Sequence, residues 1–72
     1  MKVNKKQGLL FIFYGLLSES GISKEEMMLE LEISENSFWK YIQEIRAFVS
    51  NFYLSYEIKY NRRLKRYFLS KS

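Results

Sequence analysis

The sequence contains no cysteine, no histidine, no proline and no aspartate, and only three glycines. The missing cysteine and histidine exclude thiolate nucleophiles, imidazole acid–base catalysis and the ligands of the common structural zinc sites. Acid–base chemistry would have only eight glutamates and an ordinary set of lysines and tyrosines to use. We therefore expect a protein that is not an enzyme and that has no cofactor and no metal site.

What the chain does contain is apolar and aromatic: of its 72 residues, 47% are hydrophobic and 18% aromatic. A chain of this size buries only about 60% of the surface that its unfolded form exposes. Large aromatic side chains fill such a thin core where no disulfide supports it. With so little proline and glycine, no linker or repeat interrupts the chain, and we predict a single domain over residues 1–72.

The apolar run at residues 8–17 follows Lys5 and Lys6 and superficially resembles the start of a signal peptide. It is only about half as long as a bilayer-spanning helix. No small-residue cleavage motif follows it, and Ser18, Glu19 and Ser20 lead directly into a capped helix. This context favours a buried core helix, and we expect a cytoplasmic protein.

Hydrophobic spacing predicts three helices, at about residues 3–17, 24–31 and 35–50, followed by a β-hairpin at about 54–69. Ser23, with Glu26 three positions later, forms a capping box, and Ser34 is a second N-cap candidate. Gly8 and Gly15 inside helix one would allow close helix contacts. The fold class predicted from this order is mainly α with a small β-hairpin.

The predicted core follows the same spacing. Its expected members are Leu9, Leu10, Phe13, Leu16 and Leu17 in helix one, Met27, Met28 and Leu31 in helix two, and Phe38, Tyr41, Ile42, Ile45, Phe48, Val49, Phe52 and Tyr56 from helix three onward. Beyond Phe52 the apolar period changes to two, with Ile58 between Tyr56 and Tyr60. Residues 61–64, Asn-Arg-Arg-Leu, are predicted to form the four-residue loop of the hairpin.

Charge is segregated along the chain, whose formal net charge is +4. Residues 19–35 hold six acids and one base, whereas after Glu57 there are six bases and no acid. A basic segment binds a polyanion by releasing condensed counterions, which indicates nucleic acid or an anionic membrane surface. The alternative is a solvated tail that aids solubility. We do not expect membrane binding, because the cations lie on a predicted hairpin rather than along an amphipathic helix.

Residues 26–45, EMMLELEISENSFWKYIQEI, and residues 56–69, YEIKYNRRLKRYFL, resemble the winged helix-turn-helix family found in bacterial regulators of the deoxyribose-operon-repressor and biotin-repressor types. The matching register is held by Met27, Met28, Leu31, Glu32, Ile33, Ser34, Ser37, Phe38, Ile42 and Ile45. Three positions depart from the pattern. Met28 stands where alanine is preferred, Glu32 stands where glycine is usual, and Trp39 stands where the family often has arginine or another polar residue.

The resemblance implies a three-helix bundle with a C-terminal wing that binds double-stranded DNA and regulates transcription. Helix three would lie in the major groove, with Ser34 and Ser37 donating to phosphates. Asn36, Lys40 and Gln43 would contact base edges. Arg62, Arg63 and Lys65 on the wing would contact the backbone or the minor groove. The plainer alternatives are a helix cap for Ser34 and solvated polar positions for Asn36 and Gln43.

A second hypothesis is a protein-interaction or dimerisation module with the same fold. Its basis is Trp39, which the spacing assigns to an outward face, and the acidic helix two, which is unfavourable near phosphates. An exposed tryptophan is a common interface anchor. This hypothesis predicts a homodimer or another protein partner bound through Trp39, and a Trp39→Ala variant that still folds.

Overall fold

The computed structural model describes residues 4–71. The elements are α1 (Lys5–Leu17), α2 (Lys24–Leu31), α3 (Glu35–Phe52), β1 (Tyr56–Asn61) and β2 (Arg66–Lys71). The two strands form one antiparallel hairpin, so the predicted class, mainly α with a small β-hairpin, is confirmed. Val3, at the predicted start of helix one, lies outside the described residues, and α3 ends two residues later than expected.

Each helix begins at a side chain that caps its free backbone N–H groups. Asn4, Ser23 and Ser34 stand immediately before α1, α2 and α3. In each case the side-chain oxygen accepts the backbone N–H three residues further on, at 2.8, 3.0 and 3.2 Å respectively. These bonds confirm the predicted caps at Ser23 and Ser34. A capping side chain accepts a backbone N–H that has no hydrogen-bond partner within the helix.

The turn between α2 and α3 depends on Glu32, which adopts a left-handed conformation with φ 54° and ψ 49°. Its backbone N–H and that of Ile33 both donate to the carbonyl of Met28, which closes the end of α2. A side chain in this conformation costs roughly 1 kcal/mol relative to glycine. Glu32 therefore forms the tight turn that the family pattern assigns to glycine, and Ser34 begins α3 two residues later.

The core lies where the three helices meet the hairpin. Its buried hydrophobic members are Ile12, Leu16, Ile22, Met27, Leu31, Phe38, Ile42, Ile45, Val49 and Ile58. The stripe predicted on α3 is confirmed, because Phe38, Ile42, Ile45 and Val49 are each at most 4% exposed. Within residues 4–71, no polar or charged residue is buried.

The predicted packing of α1 is confirmed only in part. Leu16 is buried, and Leu9 and Phe13 pack against the core. Leu10 and Leu17, also expected in the core, are 67% and 54% exposed, and Ile12 is buried without having been predicted. The prediction was wrong for these three residues because α1 is apolar on nearly every side, so spacing does not select a face. Its two glycines select it instead: a Cβ on Gly8 would lie 3.2 Å from the Tyr41 ring, and one on Gly15 would lie 2.5 Å from Ile22. None of the described helices is both long and apolar enough to span a membrane.

Three aromatic residues expected in the core also remain exposed. Phe48, Phe52 and Tyr56 keep 42%, 69% and 39% of their surface in contact with solvent. Phe48 and Phe52 lie on one flank of the α3 stripe rather than in it, and neither strand of the hairpin buries them. The prediction that they belong to the core is wrong.

The hairpin turn is shifted by one residue from the predicted loop. Asn61 pairs with Arg66, so the turn comprises residues 62–65 instead of 61–64. The Asn61 side-chain oxygen accepts the N–H of Leu64 at 3.0 Å, and its carbonyl accepts the N–H of Lys65 at 2.7 Å. Lys65 has a φ of 57°. Asn61, the last residue of β1, therefore organises the turn that follows it.

A third extended segment attaches the hairpin to the helices. Ile22, in the connection between α1 and α2, forms an antiparallel bridge with Tyr67 through hydrogen bonds of 2.9 and 2.7 Å. Gly21 precedes it with a φ of 65°, and a Cβ there would lie 2.3 Å from the Tyr67 carbonyl oxygen. Sequence analysis treated residues 18–20 only as the connection to a capped helix, so this bridge was missed.

Candidate nucleic-acid interface

The outer face of α3 carries three polar side chains in a row. Asn36, Lys40 and Gln43 are all exposed, and their spacings of four and three residues place them on one side of the helix. The opposite side of α3 holds buried residues such as Phe38 and Ile42. The structure thus brings together the three residues that the sequence analysis assigned to base edges.

Ser34 and Ser37 lie at the N-terminus of α3 and bind each other. The Ser34 hydroxyl accepts the backbone N–H of Ser37 and donates to the Ser37 hydroxyl oxygen, both at 3.2 Å. Ser34 thereby donates its hydroxyl proton to Ser37, and no hydrogen bond within residues 4–71 uses the Ser37 hydroxyl proton. The cap role of Ser34 is confirmed, and the Ser37 hydroxyl lies beside the positive end of the helix.

A shallow groove between α1 and α3 borders this face. Ser37, Lys40 and Gln43 line it together with Lys5 from α1 and Glu44. The Lys5 ammonium lies 3.3 Å from the Glu44 carboxylate. Sequence analysis did not select Lys5, because nothing local in the sequence indicates how α1 crosses α3.

The hairpin tip, defined as residues 62–65, forms a second group of polar residues. Arg62, Arg63 and Lys65 are exposed, and none of them forms an ion pair with another residue of the described range. No hydrogen bond or ion pair within that range joins them to the face formed by Asn36, Lys40 and Gln43. The tip therefore presents cationic groups whose charge is not neutralised inside residues 4–71, separately from the α3 face.

Trp39 is not the free outward side chain that the spacing predicted. It is half-buried against the core, in edge-on contact with Phe38 at 5.0 Å and with Tyr67 at 5.9 Å between ring centroids. Tyr67 in turn packs on Tyr60 at 4.7 Å. Burial raises the pKa of the Tyr67 phenol. The prediction that Trp39 does not belong to the core is wrong, because β2 folds back over it.

The polar edge of Trp39 is also occupied. Its indole N–H donates to the Glu35 carboxylate at 3.2 Å, and the Lys24 ammonium lies 3.3 Å from the same carboxylate and 6.0 Å from the indole ring centroid. The hydrogen bond from Trp39, followed by the contact with Lys24, lowers the pKa of Glu35. Trp39 is therefore a residue that joins α3 to β2 and to the start of α2.

Arg66, the first residue of β2, is the most connected cation in the described range. Its guanidinium donates to both carboxylate oxygens of Glu26, at 2.8 and 3.3 Å, and to the backbone carbonyls of Ser20 and Gly21. The bond from Arg66 lowers the pKa of Glu26, and the backbone N–H of Ser23 adds to this as part of the capping box. Arg66 thus fastens the hairpin to α2 and to the turn before it.

Sequence analysis counted Arg66 only as one more tail cation. Its partner Glu26 lies 40 residues earlier in the chain, and no local pattern connects the two. The pairing changes the charge balance in two places. It pairs the Arg66 charge with a carboxylate of the chain, and together with the contact between Lys24 and Glu35 it neutralises two acids of the acidic segment.

Comparisons of the chain with protein-family models, with curated proteins and with solved structures find no match in any of the three. The resemblance to the winged helix-turn-helix family therefore stays a prediction. What supports a functional conclusion is the geometry itself: an exposed polar face on α3 and a cationic tip on a hairpin that is fastened to the helices.

Proposed function

We propose that this chain is a duplex DNA-binding domain of a transcription regulator with a winged helix-turn-helix fold. In the proposed complex α3 enters the major groove, and the hairpin tip contacts the backbone or the minor groove. The observation that carries the proposal is the uncovered polar face of α3, formed by Asn36, Lys40 and Gln43. The tip cations, Arg62 and Arg63 among them, support it because no residue of the described range neutralises them.

The dimensions and chemistry of α3 suit a major groove. The groove is about 12 Å wide and admits one helix, and the N-terminal half of α3 carries all three polar residues exposed on one side. Asparagine and glutamine pair with adenine through two hydrogen bonds, and lysine donates to the guanine acceptors. Asn36, Gln43 and Lys40 would thus read base edges, while Ser37 donates to a phosphate.

The hairpin supplies the sequence-independent part of the affinity. Each phosphate that a cation neutralises releases counterions, so the tip cations would strengthen binding to any duplex. Arg66 would not contribute directly, because Glu26 and two carbonyls occupy its guanidinium. Its proposed role is to hold the hairpin, and hence the tip, in one position relative to α3.

The salt dependence of duplex binding tests the proposal. Fluorescence anisotropy with a mixed-sequence duplex should show binding at about 50 mM salt that weakens steeply toward about 200 mM. The double variant Arg62→Ala/Arg63→Ala should reduce the slope of log K against log salt by roughly 2, because each lost phosphate contact removes about 0.9. Lys71→Ala is the matched control, since it removes one charge at the opposite end of the hairpin and should leave the slope unchanged.

Selection of bound sites from random duplexes tests the role of α3. Gln43→Ala or Asn36→Ala should relax the preference at one base position, a loss of about 1–3 kcal/mol of discrimination. Asn51→Ala, an exposed amide near the other end of α3, should leave the selected sequence unchanged. Absence of any salt-dependent binding at low salt would contradict the proposal as a whole.

A further inference from the structure

One side of the molecule carries a continuous set of exposed apolar side chains, here called the apolar face. Its exposed members are Leu10, Tyr14 and Leu17 of α1, Phe48 and Phe52 of α3, Tyr53 at the end of α3 and Tyr56 at the start of β1, and the partly buried Phe13 lies among them. Ring contacts run through it, from Phe13 to Phe48 at 5.7 Å and from Phe48 to Phe52 at 5.1 Å. Tyr53 links Phe48 to Tyr56 at 5.7 and 6.4 Å. Two apolar grooves lie on this face, one beside Leu10 and one beside Leu17.

The face is large for an uncovered surface. Seven of its side chains are between 39% and 77% exposed, Tyr14 being the most exposed. With roughly 200 Å² for a large side chain, these fractions amount to an exposed surface of about 800 Å². The largest apolar patch on a typical monomer is about 300–600 Å², and a stable interface buries about 800 Å² on each partner. The apolar face alone nearly supplies one side of a stable interface.

The face carries little charge. The chain has no charged residue between Lys6 and Glu19, nor between Arg46 and Glu57, and these two segments supply the members of the face. Of the residues that line its two grooves, only Glu44 is charged, and the Lys5 ammonium lies 3.3 Å from its carboxylate. A partner selected by charge finds little to recognise here. A second copy meets a face as neutral and apolar as its own, without the repulsion that like charges would cause in a two-fold contact.

We infer that the apolar face is a self-association surface, and that two copies of this chain pair through it about a two-fold axis. Leu10, Tyr14 and Leu17 follow one another at spacings of four and three residues along the outer side of α1, which is the stripe that a pair of antiparallel helices buries. Phe48 and Tyr53 would extend the contact beside that stripe. Homodimer interfaces are richer in apolar surface than other interfaces, as this face is.

The pairing does not rest on the proposed DNA contacts. Phe48 and Phe52 lie on a different side of α3 from Asn36, Lys40 and Gln43, and the two surfaces adjoin at Glu44, which lines both the groove beside Lys40 and the groove beside Leu10. Association is measured without DNA, so its failure and a failure of DNA binding are separate results.

Sedimentation equilibrium of the chain alone, over concentrations of about 1–200 µM, tests the inference. The wild type should show a concentration-dependent shift from monomer to dimer mass. Leu17→Glu should weaken the dimer by at least roughly tenfold, because it places a carboxylate in the apolar contact. Since Leu17 is 54% exposed in the monomer, the circular dichroism of the Leu17→Glu variant should stay that of a folded protein.

Leu29→Glu is the matched control. Leu29 is 80% exposed on α2 and lines neither apolar groove, so the same substitution there should leave the dimer intact. If Leu17→Glu fails to fold, Leu10→Glu, at a position that is 67% exposed on the same stripe, makes the same test. A wild type that stays monomeric throughout, as it would if another kind of partner covers this face, overturns the inference. A dimer that survives both stripe substitutions overturns it as well.

Discussion

The two flanks of α3 carry similar aromatic side chains in different surroundings. On one flank Trp39 packs against Phe38 and Tyr67 and donates its N–H to Glu35. On the other flank Phe48 and Phe52 contact each other and are exposed to solvent. The covered flank is held by specific contacts, whereas the open flank offers apolar surface.

This difference arises from where the hairpin attaches. The bridge between Ile22 and Tyr67 and the contacts of Arg66 hold β2 against the Trp39 flank. Within residues 4–71, no element covers the other flank to the same extent. An aromatic side chain on one helix therefore becomes part of the core or of the surface according to its tertiary neighbours, and helical spacing does not distinguish the two outcomes.

Substitution of Gly21 should lower the free energy of unfolding the most, because it disturbs the attachment that covers the Trp39 flank. In Gly21→Ala the new Cβ would meet the Tyr67 carbonyl at 2.3 Å in a residue whose φ is 65°. We expect a loss of at least about 3 kcal/mol in the free energy of unfolding, measured by urea denaturation. In Gly8→Ala the new Cβ would contact only the Tyr41 side chain, and the free energy of unfolding should change by less than about 1 kcal/mol. Equal stabilities of the two variants would contradict this account of the hairpin attachment.

Truncation of one aromatic side chain on each flank compares the flanks directly. Trp39→Ala should lower the free energy of unfolding by about 2–3 kcal/mol, below the range for a fully buried tryptophan because Trp39 is half-buried. Phe52→Ala on the open flank should cost less than about 1 kcal/mol in a dilute monomeric sample. Urea denaturation followed by circular dichroism measures both. If Trp39→Ala were as stable as Phe52→Ala, the original expectation of a free Trp39 would be restored.

The ion pair of Arg66 should give the smallest effect, visible as a dependence on pH. The pKa of Glu26 is lowered in the folded state, so its contribution is present above the ordinary value of 4.5 and is lost as the pH falls through the folded-state pKa. Glu26→Gln should therefore show a smaller fall in melting temperature on acidification than the wild type. Glu30→Gln, on the same helix and in no ion pair within the described range, should respond as the wild type does.

Features that depend on neighbouring residues could be predicted from the sequence. Ser23 and Ser34 mark helix starts because a cap acts within three residues. The stripe on α3 was also predictable, because its apolar residues have polar neighbours that define a face. The alternation around Ile58 indicated the hairpin for the same reason.

Features that depend on distant residues could not be predicted. The contact between Arg66 and Glu26 and the bridge between Ile22 and Tyr67 join parts of the chain that share no local pattern. The burial of Trp39 follows from them and was missed with them. In the candidate site the residues of α3 were found by periodicity, whereas Lys5 enters only through the crossing of two helices.

The attachment of the hairpin has a consequence for the order in which the chain folds. Arg66 contacts Gly21 and Ser20 across 45 and 46 residues. Closing a loop of that length costs roughly 3 kcal/mol of chain entropy, whereas the contact of α2 with α3 closes only a short turn. The helical part is therefore expected to form first and the hairpin to dock last. In hydrogen exchange, the amides of Ile22 and Tyr67 would then report the opening of this docking step separately from the opening of the core.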